Sequence, residues 1–344
     1  RYAFAMHASG AHARIEVNDG ARGFTTEKGQ PLLFALMAER IFVPSACGGR
    51  ASCGQCRVRL LGAAVEHNEK EQLLISPRDR ERGMHLSCQL IVRGDMLIEV
   101  PEGHLHARQH TARVISVRDL APDMREVVLE LREPAEMPFA AGQYVQFLLP
   151  GTESAAQPVY RAYSVASAPS ISGLLALVFG RVPGGLCSGY VFEKLQAGER
   201  VTVNGPFGDF VLREGERDIL FVAGGSGMAP IRSMLMDMAE RGVGRTATYF
   251  FAARTRGDLF YVDEMRSLEK RMPGFRFVPV LSHPRPDEPW EGERGGIAAA
   301  LARLLPPLTH HEAYLCGSPG MIDASIGALH ARGLANERIF FDKF

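Results

Sequence analysis

The sequence predicts a multidomain protein with α+β and α/β parts. A small α+β domain comes first, an antiparallel β-barrel second and a parallel α/β domain third. Three observations predict it. Cysteines crowd one loop between short strand-like runs near the start. Six short β-prone runs separated by Gly, Pro and Asp turns follow. A buried-looking strand then leads through a Gly-Gly-Ser-Gly turn into a helix, and strands and helices alternate from there to the end. At 344 residues, 46% of them apolar, the chain is long enough for three domains, each with a core of its own. The boundaries fall at residues 1–103, 109–213 and 214–344.

Composition excludes several classes. Lys plus Arg equals Asp plus Glu at 39 each, with no basic stripe, so a nucleic-acid partner is not expected. Of six cysteines, Cys47, Cys53 and Cys56 lie within ten residues, and Cys88, Cys187 and Cys316 are scattered. That is not the spread of a secreted disulfide scaffold. It favours a reducing compartment and metal chemistry. No run approaches the roughly 18 apolar residues of a membrane span. The expected location is cytoplasmic. Because the chain begins at Arg1 rather than Met, a removed anchoring segment would instead put it at the cytoplasmic face of a membrane.

In the first domain, Ala13–Val17, Arg57–Leu61 and Met96–Val100 read as strands and Leu32–Arg40 as a helix, while Glu69–Arg82 reads as a solvated helix and loop. Gly103–His110 reads as a polar linker, and its His104, His106 and His110 as solvated rather than metal-binding. The barrel strands are expected at Thr111–Val117, Glu126–Leu131, Gln143–Leu149, Tyr160–Ser164, Leu174–Arg181 and Arg200–Val203. In the last domain, Asp218–Val222, Thr246–Phe251, Arg276–Leu281 and Glu312–Leu315 read as strands and Pro230–Arg241 as a helix.

Cys47-Gly-Gly-Arg-Ala-Ser-Cys53-Gly-Gln-Cys56, with Cys88 on a later segment, supplies four thiolates. Four would also hold tetrahedral zinc, but zinc sites usually show two separated C-x2-C pairs and only one close pair is present. Three ligands from one tight loop and one from elsewhere favour a two-iron cluster. The loop resembles plant-type ferredoxins with one extra residue, C-x5-C-x2-C. That spacing also occurs in vertebrate-type ferredoxins and in the flavoprotein subunit of sodium-pumping NADH:quinone reductases.

On the fourth barrel run, Arg161-Ala162-Tyr163-Ser164 offers a guanidinium for a pyrophosphate, an aromatic face and a hydroxyl suited to flavin N5. Gly184-Gly185-Leu-Cys187-Ser188 opens a helix-like stretch, Gly189–Leu195, and so offers an anion site. Cys187 reads as a small buried residue rather than a redox group. Gly224-Gly225-Ser226-Gly227, with Pro230 in the first helical turn, is a second phosphate-cradling turn. In this order, with Gly205-Pro206-Phe207-Gly208 between them, these segments resemble the ferredoxin–NADP reductase superfamily.

The resemblance implies a β-grasp [2Fe–2S] ferredoxin, an FAD-binding barrel and an NAD(P)-binding domain. It implies that Val178 and Phe179 also line the flavin, and that the group is FAD rather than FMN. Tyr314-Leu-Cys316-Gly317-Ser318-Pro319 resembles the family segment whose cysteine lies near the nicotinamide, which pairs Cys316 with Ser164 as the groups closest to hydride transfer. The C-terminal aromatic of the family covers the flavin, and Phe344 is that residue here; a frayed end is the other reading. Trp290 and Gly292 match a W-x-G loop of relatives and read as packing. After the second strand of the last domain, Arg254 and Arg256 suit a 2′-phosphate and Asp258 a 2′-hydroxyl. NADH is favoured over NADPH only because relatives favour it.

The implied activity passes electrons from NADH or NADPH through FAD to the [2Fe–2S] cluster and on to a redox partner. The partner is a hydroxylase or Rieske component of an oxygenase, or the subunits of a membrane quinone reductase. The soluble reductase ranks first, because no long insertion precedes Arg161. A non-enzymatic iron–sulfur carrier is the remaining alternative.

Overall fold

Alternation of buried Ala13, Ile15 and Val17 with outward His12, Arg14 and Glu16 builds β1 (His12–Val17) as a half-buried strand. It pairs antiparallel with β2 (Arg22–Glu27), from His12 opposite Glu27 to Val17 opposite Arg22. The computed structural model describes residues 11–62, 65–101, 106–152, 157–287 and 289–344, so His104 lies outside the described residues. They form two units. One comprises Arg1–Thr111, Val145–Ala162 and Val201–Phe207, the other Ala112–Tyr144, Tyr163–Arg200 and Gly208–Phe344.

In the first unit, β5 (Met96–Glu99) runs parallel beside β1, and β3 (Arg57–Leu61) and β4 (Met84–Leu86) complete a sheet of order β2-β1-β5-β3-β4. Helix α1 (Leu32–Ala38) lays Leu32, Leu33 and Leu36 into a core with Ile15, Val58 and Ile98. This is the mixed sheet crossed by a helix that the β-grasp expectation requires.

The segment Glu69–Arg82 departs from its solvated reading. It forms two short helices, α2 (Glu69–Leu74) and α3 (Pro77–Glu81), and Glu71 is only 2% exposed. Its carboxylate accepts from His85 Nδ1 (3.1 Å) and the Leu86 N–H (2.9 Å), and from the Asn68 N–H (3.2 Å) while the Asn68 side chain caps the helix. His85 stacks flat on His67 at 4.1 Å. A charge pattern cannot show which of several acids turns inward; here the capping box aims Glu71 at β4.

The barrel strands are β6 (Arg108–Ala121), β7 (Met124–Glu133), β8 (Tyr144–Leu148), β9 (Tyr160–Ser164), β10 (Leu174–Gly180) and β11 (Arg200–Phe207), in sheet order β10-β7-β6-β11-β8-β9. β7 and β10 pair antiparallel from Glu130 opposite Leu174 to Met124 opposite Gly180. Just beyond β9, Val165 bridges to Leu177 and the Ala166 N–H donates to the Ala176 carbonyl at 2.7 Å, joining the two ends of the sheet. The expected linker is correspondingly shorter, because β6 already begins at Arg108 and His110 is buried.

Beyond the barrel, β12 (Asp218–Gly224), β13 (Ala247–Ala253), β14 (Phe275–Leu281), β15 (Glu293–Arg294), β16 (His311–Gly317) and β17 (Ile339–Lys343) form an all-parallel sheet of order β15-β14-β13-β12-β16-β17. Phe221 and Tyr249 face α5 (Met228–Arg241) and α6 (Val262–Arg271). Leu220 and Val222 face α7 (Ile297–Leu304) and α8 (Pro319–His330). Both faces are covered, so these strands read as apolar runs rather than alternations. The chain reverses direction of travel across the sheet at β12, between β13 and β16, and the carboxyl ends there mark the crevice where doubly wound sheets bind ligands.

Burial works against charge on Glu71, yet the hydrogen bonds from His85, Leu86 and Asn68 outweigh it and hold its carboxyl below the ordinary 4.5. A lowered carboxylate contributes stability that is present above 4.5 and lost as pH falls through the folded value. Replacing Glu71 with Ala is expected to cost about 2–4 kcal/mol at pH 7, since three donors lose a buried acceptor. Urea unfolding of the full chain checks this: the gap between Glu71→Ala and the parent should narrow as pH drops below 4.5.

Candidate functional site

The cysteine loop is built on buried backbone: Ile41, Phe42, Val43 and Ser45 are all at most 3% exposed although they belong to no helix or strand. Arg57, at the start of β3, ties the far end of the loop down by donating from Nε to the Gly54 carbonyl (2.9 Å) and from Nη2 to the Leu74 carbonyl (3.1 Å). The four expected thiols meet as two pairs. Cys53 and Cys47 have their Sγ atoms 3.5 Å apart, and the Cys56 and Cys88 thiols are hydrogen-bonded to each other.

In each pair the hydrogen bond between the two sulfurs favours charge on one and disfavours it on the other. The Cys53 thiol brings Cys47 down to about 4, against the opposing effect of burial, and the Cys56 thiol lowers Cys88. Cys53 and Cys56, the donors, are raised. Removing the shared proton leaves two thiolates per pair, which is the donor set a two-iron cluster takes. Tetrahedral zinc needs four sulfurs about 2.3 Å from one point. Among the described residues no three His, Cys, Asp or Glu side chains converge on one metal-ion position. The paired donors fit a [2Fe–2S] cluster, one pair for each iron.

In the same unit, β9 brings Arg161 and Ala162 to half-buried positions. Arg161 Nη1 donates to the Tyr160 carbonyl at 2.5 Å, and among the described residues no carboxylate pairs with its guanidinium. The charge is left for an anionic ligand.

In the second unit, the Tyr163 ring lies 4.0 Å from Phe179, tilted by 40°, while Val178 and Phe179 are buried on β10 and Ser164 is half-buried. Helix α4 (Leu186–Glu193) begins three residues before the expected Gly189, because Gly185 rather than Ser188 occupies its N-cap. Ser188 is buried, and its hydroxyl accepts from the Val182 N–H (3.2 Å) and donates to the Val182 carbonyl (3.2 Å). It closes the loop, so at this turn the uncapped helix N–H groups rather than the hydroxyl are free to meet an anion. Cys187 is 2% exposed, as its packing role requires.

At the carboxyl end of β12, the turn Gly225–Gly227 leads straight into α5, whose start has no side-chain cap. A Cβ on Gly227 would sit 2.1 Å from the Cys316 carbonyl oxygen. Only glycine lets the turn lie against the end of β16. The result is a 14-residue helix pointing uncapped N–H groups out of a glycine cradle, which fits a pyrophosphate. Cys316 is fully buried and Gly317 buried beside it, whereas Pro319 is exposed at the first turn of α8. Burial pushes the Cys316 thiol up, and Asp342 adds to the effect.

Three family models tile the chain. A "2Fe-2S iron-sulfur cluster binding domain" matches residues 15–93, an "Oxidoreductase FAD-binding domain" residues 111–212 and an "Oxidoreductase NAD-binding domain" residues 221–326. The chain is 34% identical to a Na(+)-translocating NADH-quinone reductase subunit of Neisseria meningitidis, over 96% of this chain and 91% of the relative. The chain belongs to the ferredoxin–NADP reductase superfamily, among its [2Fe–2S]-containing FAD reductases.

The phenol hydroxylase P5 protein of Acinetobacter pittii is 33% identical over 92% of this reductase and 90% of its own length. Among solved structures, the Amycolatopsis cytochrome P450 reductase GcoB is similar at 30% identity with a TM-score of 0.77, covering 96% of this chain and 98% of that one. The ferredoxin reductase in carbazole 1,9a-dioxygenase is similar at 27% identity and a TM-score of 0.73, covering 97% and 98%. The reductase is thus an NAD(P)H-dependent flavoprotein oxidoreductase that binds [2Fe–2S], FAD and NAD(H). Among the described residues, no helix is long and apolar enough to cross a membrane.

The ambiguous Arg-Thr-Arg-Gly-Asp segment is divided by the structure. Asp258 accepts from both the N–H and the hydroxyl of Thr255 at 2.8 Å, so its carboxylate is committed locally, while Arg254 and Arg256 are exposed. Trp290 and Gly292 pack on each other so closely that a Cβ on Gly292 would lie 2.4 Å from the indole. Phe344 anchors its N–H to the Gly317 carbonyl at 3.2 Å and leaves its ring exposed. Strand β17 thus runs to Lys343, and Phe344 beyond it is tied by this bond to the end of β16.

That strand carries a residue the sequence did not single out. Asp342 sits opposite Cys316 in the parallel β16/β17 pair, and burial pushes its carboxyl up to about 6. Only strand pairing reveals it, since 25 residues of chain lie between the two. A raised carboxyl contributes stability that is full below 3.8 and lost as pH climbs through about 6. The Asp342→Asn variant is expected to melt with the parent near pH 4 and above it beyond pH 6, by about 1–3 kcal/mol. Calorimetry between pH 4 and 8 decides, and two parallel curves would refute the assignment.

Proposed function

We propose that the chain is the NADH-oxidising reductase component of a bacterial multicomponent oxygenase, working in the cytoplasm and delivering single electrons to a hydroxylase or Rieske partner. One observation carries the choice of partner. The alignment with the sodium-pump protein runs over 372 positions against a chain of 344 residues, so that relative carries segments lacking here. The alignment with the phenol hydroxylase protein needs only 327. Matches over nearly the whole length of two oxygenase-system or P450 reductases support the same reading. The sodium-pump component is the second reading, favoured by its 34% identity over 96% of the chain.

The proposed division of labour follows the domains 1–103, 109–213 and 214–344. Cys47, Cys53, Cys56 and Cys88 hold the cluster. Arg161 and the α4 N–H groups from Gly185 to Ser188 take the flavin pyrophosphate, with Ala162, Tyr163, Ser164, Val178 and Phe179 along the ring system and Cys187 packing the turn. Gly224, Gly225, Ser226 and Gly227 take the nicotinamide dinucleotide pyrophosphate, and Arg254 its adenosine end. Cys316, Gly317 and Pro319 border the nicotinamide, where Phe344 closes over the flavin. When bound, flavin and cluster convert a two-electron hydride into single electrons. The protein's own residues orient the rings and neutralise phosphate charge, and no side chain moves a proton for hydride transfer itself.

Anaerobic stopped-flow mixing with NADH is the test: the flavin band should bleach first and the cluster band after it. Cys53→Ser should lose the cluster band while keeping NADH:ferricyanide activity within about threefold, because that dye takes electrons from the flavin. If NADH bleaches neither band in material holding both cofactors, the function is wrong. With the exposed Arg254 replaced by Ala, kcat/KM should fall about tenfold for NADPH, the cost of one charge-assisted contact, and little for NADH. Turnover with a purified di-iron hydroxylase but not with a soluble ubiquinone analogue separates the oxygenase reading from the pump.

A further inference from the structure

Three contacts join the backbone leading into the cluster loop to β8 and β9, and of their residues only Arg161 is assigned to a cofactor. Gln146, at the centre of β8 and 0% exposed, donates from Nε2 to the Val43 carbonyl at 3.2 Å. The Tyr160 hydroxyl faces the Ser45 side chain. Gly48, directly after Cys47, has a φ of +66°, and a Cβ there would lie 2.6 Å from both the Tyr160 carbonyl and Arg161 Nη1.

We propose that this junction is a positioning device for electron transfer between flavin and cluster. The Arg161 strand and the Cys47 turn are locked together through the backbone of Val43–Gly48, with Gln146 and Gly48 as the positioning residues. The physical case rests on rigidity. Val43 and Ser45 lie in a loop, so nothing in a helix or sheet ladder fixes them. Their register comes from side chains of the barrel strands, and a buried carbonyl such as that of Val43 needs its donor. Gly48 acts sterically: the left-handed backbone and the absence of Cβ together let the turn reach β9. Arg161 is thereby placed so that one guanidinium both meets the turn holding Cys47 and, on the proposed function, faces the flavin pyrophosphate. The cluster turn and the Arg161 end of the flavin site, both in the first unit, then hold a fixed separation, and small misplacements of reacting groups are expensive in rate.

The inference rests on the flavin-to-cluster reading above, and its test separates the two. Gln146→Leu keeps the volume and removes the donor; Gly48→Ala adds the methyl. Each holoprotein is mixed with NADH in a stopped-flow instrument. The flavin phase should match the parent within about twofold, and the cluster phase should slow by about tenfold or more. Two readouts other than activity accompany this. The dithionite-reduced cluster should keep its EPR intensity, showing that it is loaded, and amide exchange over residues 41–49 should accelerate. Unchanged cluster kinetics in Gln146→Leu, with that variant loaded, overturn the proposal, as does equal slowing of both phases. Should Gly48→Ala fail to hold a cluster, Gln146→Leu alone decides. A parent protein whose cluster never reduces would instead sink the function.

Discussion

Negatively charged cofactors must be met by backbone N–H groups or by a fixed cation, and in this chain both depend on places where no side chain fits. In the first unit, the Cys47–Gly48 turn reaches Arg161 only because Gly48 lacks a Cβ. In the second, the Gly225–Gly227 turn reaches the end of β16 for the same reason. Everything else in each site is arranged behind such a contact. The paired thiols hang from the first, and the uncapped start of α5 follows from the second. A methyl group at either point would move a phosphate-facing or sulfur-bearing segment by more than hydrogen bonds tolerate.

Buried charge pins the elements of the second unit to one another. The chain has equal numbers of acids and bases, and the few buried ones are spent on joints between elements. Arg245 and Glu312, both side chains under 10% exposed, close 2.7 Å apart, and Glu312 also accepts from the Tyr314 hydroxyl. Arg232 grips Glu264 with two bonds of 2.9 and 3.0 Å and reaches the Ala166 carbonyl. Such pairs contribute little net stability compared with an apolar contact of equal volume, but breaking one leaves an uncompensated charge. They act as pins. By contrast, Arg161 has no carboxylate partner among the described residues and donates to the Tyr160 carbonyl.

Most of the architecture was legible in the sequence, for identifiable reasons. β9 and β3 run over the residues their patterns give, because Gly, Pro and Asp turns bracket short β-prone runs. The meeting of the four thiols was legible because cysteine is rare and its spacing is chemically constrained. What escaped depends on partners far away in the chain. Glu71 is one of several acids in a charged stretch, and only its hydrogen bond to His85 distinguishes it. His110 sits in a polar, His-rich string, yet the barrel draws it inward as part of β6. The Ser188 hydroxyl has the right chemistry for an anion but closes its own loop instead. The α4 boundary shifted because Gly185, with no capping side chain, can still serve as the N-cap.

Asp342 sharpens the point about distance. A carboxyl pushed up to about 6 beside a buried thiol is the kind of perturbed pair that clusters where chemistry happens. Neither residue is required to transfer a proton when hydride moves between two rings. Their shared feature is electrostatic: burial pushes both the thiol and the carboxyl up, so each resists taking its charge. Above about pH 6 the carboxyl turns anionic next to the end of β16. Strand β17 therefore does more than extend the sheet, because Asp342 sets the charge beside the carboxyl end of β16.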